Sequence, residues 1–105
     1  MKEAPRQRFL FLTIECRGLK AENYQDAYGT LMAFVVVEVY SDRHKWQFAG
    51  HSEVSDAGAS NPKFQQTVKV SIYEHLKGNV PYTSFRFSVF SSTMNKLQVE
   101  RVRVS

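Results

Sequence analysis

The sequence predicts an all-β domain folded as an antiparallel β-sandwich. Six short segments either alternate apolar and polar residues or are dense in β-branched and aromatic residues, which is typical of strands. Gly, Pro, Asn and charged residues stand between them, and no segment has the period of a helix. With 105 residues and 43% hydrophobic content, the chain is long enough for one domain with one core.

The first two predicted strands follow a polar start of the chain. Residues 1–8 carry several charges and a proline, which predicts a flexible lead-in, and residues 9–105 are expected to form a single domain. Phe9–Cys16 alternates, and because both of its faces begin with apolar residues, it is expected to be an interior strand. Leu31–Ser41 follows a long polar loop over residues 17–30 and is the second strand. Its predicted core-facing residues are Ala33, Val35, Val37 and Val39.

Four more strands are predicted in the rest of the chain. Trp46–Ser55 returns after a charged hairpin turn, with Gly50 at a predicted bulge. Phe64–Ile72 and Ser84–Ser91 alternate apolar and polar residues, and the segment between them is broken by Gly, Asn and Pro. Leu97–Val104 is the last strand, and a shift in its apolar parity between Val99 and Val102 predicts a bulge near Glu100 or Arg101. Strands of this number and spacing predict two packed antiparallel sheets.

Composition argues against several function classes. The net charge of +4 is spread along the chain, whereas a nucleic-acid binder is expected to carry a dense basic stripe, so no nucleic-acid partner is predicted. Cys16 stands alone and no signal peptide is visible, which together predict a cytoplasmic location. The sequence has no phosphate-binding glycine loop, no nucleophile elbow and no His/Cys set at metal-ligand spacing. An enzyme is therefore not expected.

Four short motifs, in the order of the predicted strands, carry a resemblance to a known family. They are the pair Phe34-Val35, the step Gly50-His51-Ser52-Glu53, the stretch Asn61-Pro62-Lys63-Phe64, and the alternation Phe87-x-Val89. Over residues 9–92 the chain resembles the C2 domains, and in finer detail those of copines and inositol polyphosphate 4-phosphatases. The resemblance implies an antiparallel Greek-key β-sandwich of eight strands. Because the sequence predicts six, this domain is expected to be short of the usual number.

The resemblance also implies where a calcium site would lie, and the residues there depart from the family. Calcium-binding C2 domains hold the ion with several Asp carboxylates on loops at one end of the sandwich, since Ca²⁺ prefers several hard oxygen ligands. Thioether and hydroxyl groups carry no charge and do not replace them. The aligned positions are Asp26, Met32, Ser91 and Thr93. We therefore expect no calcium and no other metal or cofactor.

The leading functional prediction is a protein–protein interaction or self-association module, acting as a targeting or scaffold domain of a larger intracellular protein. It depends on five apolar residues that lie out of phase with the predicted core faces, because a contiguous apolar patch usually marks an interaction site. Reversed faces, or a cover formed by residues 73–82, would explain the same pattern. The predicted patch consists of Phe9, Phe11, Phe34, Val36 and Tyr40.

The alternative is calcium-independent binding of acidic phospholipids, including phosphoinositides, at a membrane surface. Each surface cation near an anionic membrane contributes about 1 kcal/mol, so the small cluster in the hairpin turn predicts only weak docking. The same charges are also typical of a solvated turn. The candidate anion-binding residues are Arg43, His44, Lys45, Lys63 and Lys69. Either function predicts a cytoplasmic protein with cytoskeletal or membrane association.

Overall fold

The computed structural model describes residues 9–20, 32–41, 45–71 and 84–105, and these residues form seven strands and no helix. All pairings between the strands are antiparallel, which confirms the predicted all-β class. The predicted lead-in over residues 1–8 and most of the predicted loop over residues 17–30 lie outside the described residues. The strands are β1 (Phe9–Leu12), β2 (Ile14–Arg17), β3 (Ala33–Ser41), β4 (Lys45–His51), β5 (Val68–Ser71), β6 (Ser84–Ser91) and β7 (Arg101–Val104).

One layer of the fold is a three-stranded sheet in the order β4-β3-β6. The alternation predicted for β3 is confirmed: one face is buried, and the other is half-buried. Val37 lies opposite Gly50 while Glu38 lies opposite Phe48, so Ala49 is an extra residue in β4. The bulge is therefore found beside the predicted position, and it turns Ala49 into the core.

The other layer contains β1 paired with β5 and β2 paired with β7. The single strand predicted over residues 9–16 is in fact two strands that meet at Thr13, which is why the described residues form seven strands where six were predicted. Leu12 lies opposite Val68, and Glu15 lies opposite Lys63. Between these two pairings the segment from Lys63 to Val68 advances by five residues, whereas the segment from Leu12 to Glu15 advances by only three. One continuous ladder along the whole predicted strand is therefore impossible.

The Asn-Pro stretch forms the neighbour of β2 on the edge away from β7. The carbonyl of Pro62 accepts a hydrogen bond from the Cys16 N–H at 2.9 Å, and the Phe64 N–H donates to the Ile14 carbonyl at 3.1 Å. The Asn61 side chain accepts the N–H of Gly18 at 2.9 Å. This stretch therefore lies alongside β2 before β5 begins.

Three predicted strand boundaries differ from the structure for identifiable reasons. The strand predicted from Phe64 begins only at Val68, because a turn at Gln65 and Gln66 intervenes and Glu53 Oε2 accepts both of their N–H groups, at 3.1 and 3.0 Å. The predicted end of that strand, Ile72, and residue 31 of the second predicted strand lie outside the described residues.

The strand predicted over residues 46–55 ends at His51, although Ser52 and Ser55 continue to bond to β3. Side-chain hydroxyls accept the β3 N–H groups there, so the regular ladder stops. The strand predicted from residue 97 begins at Arg101. Just before it, the Glu100 N–H donates to the carbonyls of both Arg17 and Gly18, at 3.1 and 3.3 Å, which interrupts regular pairing near the predicted bulge.

The core lies between the two layers and gives the fold its sandwich-like character. Residues from both layers, and from the segments between strands, contribute to it. The buried apolar residues are Ile14, Cys16, Leu19, Ala33, Val35, Val37, Val39, Ala49, Phe64, Val68, Val70, Val89 and Leu97. Half-buried apolar residues pack around them, namely Leu10, Leu12, Phe85, Phe87, Val99, Val102 and Val104. Burial of this much apolar surface is the main stabilising term of such a domain.

Candidate functional site

The outer side of the three-stranded sheet carries a group of large apolar side chains, which we call the aromatic face. Because side chains alternate along a strand, the residues of β3 that do not enter the core lie on this side together with their cross-strand neighbours. Phe48 on β4 is 58% exposed, and the others are half-buried. The aromatic face consists of Phe34, Val36, Tyr40, Trp46, Phe48 and Phe90.

Ring contacts across the strands hold the aromatic face in place. Phe34 stacks on Phe90 with ring centroids 6.1 Å apart, and Tyr40 meets Trp46 edge-on at 5.3 Å. His51 lies beside Phe48 at 6.2 Å, and its ring Nδ1 is 2.8 Å from the carbonyl oxygen of Ser52. Such pairs contribute about 0.5–1.5 kcal/mol each beyond the area they bury. The face is therefore a fixed surface and not a set of loose side chains.

An ion pair lies in the middle of the aromatic face. The guanidinium of Arg86 donates from Nε and Nη2 to the two carboxylate oxygens of Glu38, at 3.0 Å each. The Cζ atom of the same guanidinium lies 4.4 Å from the centroid of the Trp46 ring. Its hydrogen bond holds the pKa of Glu38 below the usual range of a carboxyl. Because Glu38 is paired with Arg86, the two charges largely offset each other within the aromatic face.

The predicted interaction patch falls into two groups on different sheets. Phe34, Val36 and Tyr40 belong to the aromatic face, as predicted from their parity. Phe9 and Phe11 lie on β1 in the other layer, 37% and 60% exposed, with ring centroids 6.5 Å apart. Parity along a strand shows which side faces the core, but it does not show which sheet the strand joins. The two groups therefore lie on the outer sides of different layers.

The candidate anion-binding residues are also spread over separate elements. Lys45 begins β4, with its Nζ 5.9 Å from the ring of Tyr40. Lys63 lies opposite Glu15, and Lys69 on β5 places its Nζ 3.9 Å from the ring of Phe9. The remaining two candidates, Arg43 and His44, lie outside the described residues.

Several cations that sequence reasoning did not select lie close together around the β2–β7 pair. Arg17 and Arg101 are directly opposite each other, and Arg103 is opposite Glu15, with Arg103 Nη1 3.7 Å from Glu15 Oε1. These residues are distant in sequence, so only the register of β2 on β7 reveals the cluster. The signal that could have found them is the alternating Arg-Val-Arg-Val at the end of the chain. Like charges placed opposite each other destabilise a sheet slightly.

The positions aligned with a calcium site are occupied by groups that bond to one another. Ser91 Oγ and Thr93 Oγ1 are 2.8 Å apart, and Ser91 Oγ accepts the Asn95 N–H at 3.1 Å. The carbonyl of Met32 accepts the N–H of Ser92 at 2.9 Å, so the structure brings these aligned positions together. Asp26 lies outside the described residues. The described members of the set supply no carboxylate, so their chemistry does not fit a Ca²⁺ site.

Other reactive groups are few in the part of the chain that the structure describes. No group of three or more His, Cys, Asp or Glu residues is arranged there to hold a metal ion. Burial raises the pKa of the Cys16 thiol to about 11, which disfavours the reactive thiolate. No helix among the described residues is both long and apolar enough to cross a membrane.

Comparisons with protein-family models, with curated proteins and with solved structures find no match to this chain.

Proposed function

We propose that this chain is a C2-like Greek-key sandwich that works as a calcium-independent binding module. The leading role is that of a protein-interaction domain, for targeting or scaffolding, in a larger intracellular protein. The four C2-like motifs, in their order along the chain, support the C2-like assignment. Two of them make contacts that organise the fold: Glu53 of the second motif accepts the N–H groups of Gln65 and Gln66, and the Asn-Pro stretch pairs with β2.

The aromatic face is the observation that carries the protein-interaction proposal. It combines Phe48, which is more than half exposed, with Tyr40, Trp46 and Arg86, and the guanidinium of Arg86 lies over the Trp46 ring. Trp, Tyr and Arg are the residue types enriched among the residues that contribute most to binding energy at interfaces. A neighbouring protein that covered these rings would gain apolar burial without ordering them further, because ring contacts already fix their positions. The Glu38–Arg86 pair adds polar specificity within the same surface.

A matched pair of variants tests this proposal. Phe48→Ser removes the exposed ring from the aromatic face, and Phe11→Ser removes a ring of almost equal exposure, 60% against 58%, from the other layer. Neither residue belongs to the buried core, so both variants are expected to stay folded by circular dichroism. Partner proteins that cross-link to the wild type are quantified by mass spectrometry. Their recovery should be lost with Phe48→Ser and retained with Phe11→Ser. Equal recovery with both variants would refute the aromatic face as the docking surface.

The alternative function is calcium-independent binding of acidic phospholipid, and a specific feature of the other layer supports it. Lys69 lies against the ring of Phe9, and Phe11 is exposed beside them, so cationic and apolar groups share one surface. Co-sedimentation with acidic vesicles, in calcium and in chelator, tests this function. Binding that is equal in both, weakens with salt and is lost in Lys69→Glu would establish it. A dependence on calcium would contradict the calcium-independent proposal itself.

A further inference from the structure

The two sides of the sandwich differ in how completely their inner residues are buried. Where β4 adjoins β5, the core is sealed: Ala49, Val68 and Val70 are buried, and a Cβ on Gly50 would lie 2.9 Å from Val68 Cγ1. On the side of β6 and β7, Val89 is buried, but five other inner residues are only half-buried. These half-buried residues, which define the β6–β7 seam, are Phe85, Phe87, Val99, Val102 and Val104.

The backbone along this seam has hydrogen-bonding groups that point away from β2. Thr13 and Ser105 exchange both of their backbone hydrogen bonds, at 3.0 and 2.9 Å. Hydrogen-bonded pairs alternate with non-bonded pairs in an antiparallel ladder, so Arg103 and Arg101 also bond to β2. The N–H and C=O groups of Val102 and Val104 therefore point to the opposite edge. Within residues 9–20, 32–41, 45–71 and 84–105, no strand pairs with that edge.

Positive charge borders the seam. A hollow of about 360 Å³ lies between β6 and the segment that leads into β7, and its lining includes Lys20, Lys96 and the apolar side chains of Phe87 and Val99. Arg101 and Arg103 follow directly and are exposed, on the outer side of β7. The lining of the hollow also contains Glu100, whose carboxyl group would clash at 2.6 Å with a Cβ on Gly18 and so lies against that glycine's backbone.

We propose that the β6–β7 seam binds an extended peptide of a protein partner, which adds as a strand to the edge of β7 and alternates apolar with acidic residues. The apolar residues would cover Val102 and Val104, and the acidic residues would lie beside Arg101 and Arg103. A phosphate-rich surface could neutralise the arginines, but phosphate oxygens offer no donors to the two valine carbonyls. A peptide backbone supplies both donors and acceptors. The seam is a different surface from the aromatic face, so either proposal can fail without the other.

The test uses the full chain, isotope-labelled for NMR, and two synthetic peptides. One peptide alternates valine with glutamate, and the other alternates valine with lysine. The first should shift the amide signals of Val102 and Val104, and the second should not. In the double variant Arg101→Glu with Arg103→Glu, the preference should reverse, with the glutamate peptide weakened by about tenfold or more. Lys69→Glu places a charge reversal of the same kind, at a single position, on β5 and should leave the affinity unchanged.

A second variant tests the backbone itself. Val102→Pro removes an N–H that points away from β2, so the β2–β7 ladder keeps its bonds while the edge loses a donor. Peptide binding should fall, and folding should persist by circular dichroism; if Val102→Pro does not fold, the charge-reversed variant decides alone. The proposal is overturned if the glutamate peptide binds wild type and charge-reversed protein equally. It is also overturned if polyglutamate without valine binds as tightly, or if no signal along the seam shifts.

Discussion

Ser52 offers the sharpest test of how the interior of this fold is held together. Its side chain is 2% exposed, and its Oγ accepts the N–H of buried Val35 at 2.8 Å while donating to the Glu53 carbonyl at 2.8 Å. Ser52→Ala removes the acceptor but keeps the backbone bond from the Ser52 N–H to the Val35 carbonyl. A buried N–H without a partner costs about 1–3 kcal/mol. We therefore expect the free energy of unfolding to fall by about 2 kcal/mol.

The control lies three residues further on. Ser55 Oγ accepts the N–H of Ala33 at 3.0 Å in the same manner, but this bond is only partly buried, so water can replace the hydroxyl. Ser55→Ala should cost about 1 kcal/mol or less. Urea unfolding followed by fluorescence measures both variants, and a melting temperature lower by roughly 10 °C should accompany Ser52→Ala. If Ser55→Ala proved as costly as Ser52→Ala, burial would not be what makes the Ser52 bond valuable.

Three further predictions concern the core, the thiol and the ion pair. Gly50→Ala should lower the free energy of unfolding, measured in urea, by about 1–3 kcal/mol, because its Cβ would meet Val68 Cγ1 at 2.9 Å. In combination with Gly50→Ala, Val68→Ala should relieve part of that cost. A Gly50→Ala variant as stable as the wild type would contradict the close approach. Cys16 should react with a thiol reagent near neutral pH only as fast as the protein unfolds, and labelling of the native protein at the rate of the urea-unfolded chain would refute its burial. Because burial raises the pKa of that thiol from 9.0 to about 11, its contribution to stability is present below pH 9 and is lost as the pH rises to about 11. Arg86→Gln should raise the pKa of Glu38 towards that of a free carboxyl in an NMR titration, and an unchanged pKa would refute the pairing. The pair lowers the pKa of Glu38, so its small stabilising effect is present above the ordinary carboxyl pKa and is lost as the pH falls through the lowered value.

The elements that could be predicted from sequence are those whose patterns are local. β3 alternates small and β-branched residues with larger ones, and burial of one side of a strand follows directly from that period. The aromatic group on its other side was partly found for the same reason. Phe48 and Trp46 were missed because no face was predicted for their strand, and the bulge at Ala49 changes the parity of β4 between Phe48 and Gly50.

The candidate sites were harder to predict because each depends on which strands become neighbours. Phe9 and Phe11 have the same outward parity as Phe34, yet they lie on another layer. Arg17 and Arg101 are far apart in the chain and meet only through the register of β2 on β7. A sequence pattern reports the environment of a side chain relative to its own strand, and it carries no information about the partner strand.

The sequence by itself therefore determined the all-β class, the core-facing side of β3 and the position of the Asn-Pro turn. Only the tertiary structure decided the break at Thr13, the capping of Gln65 and Gln66 by Glu53, and the difference between the sealed and the open side of the sandwich. The physical reason is that periodicity arises from the geometry of one strand, whereas hydrogen-bond partners and edges arise from long-range register. The β6–β7 seam belongs to the second group, whereas the aromatic face depends on both the period of β3 and the register of its neighbours.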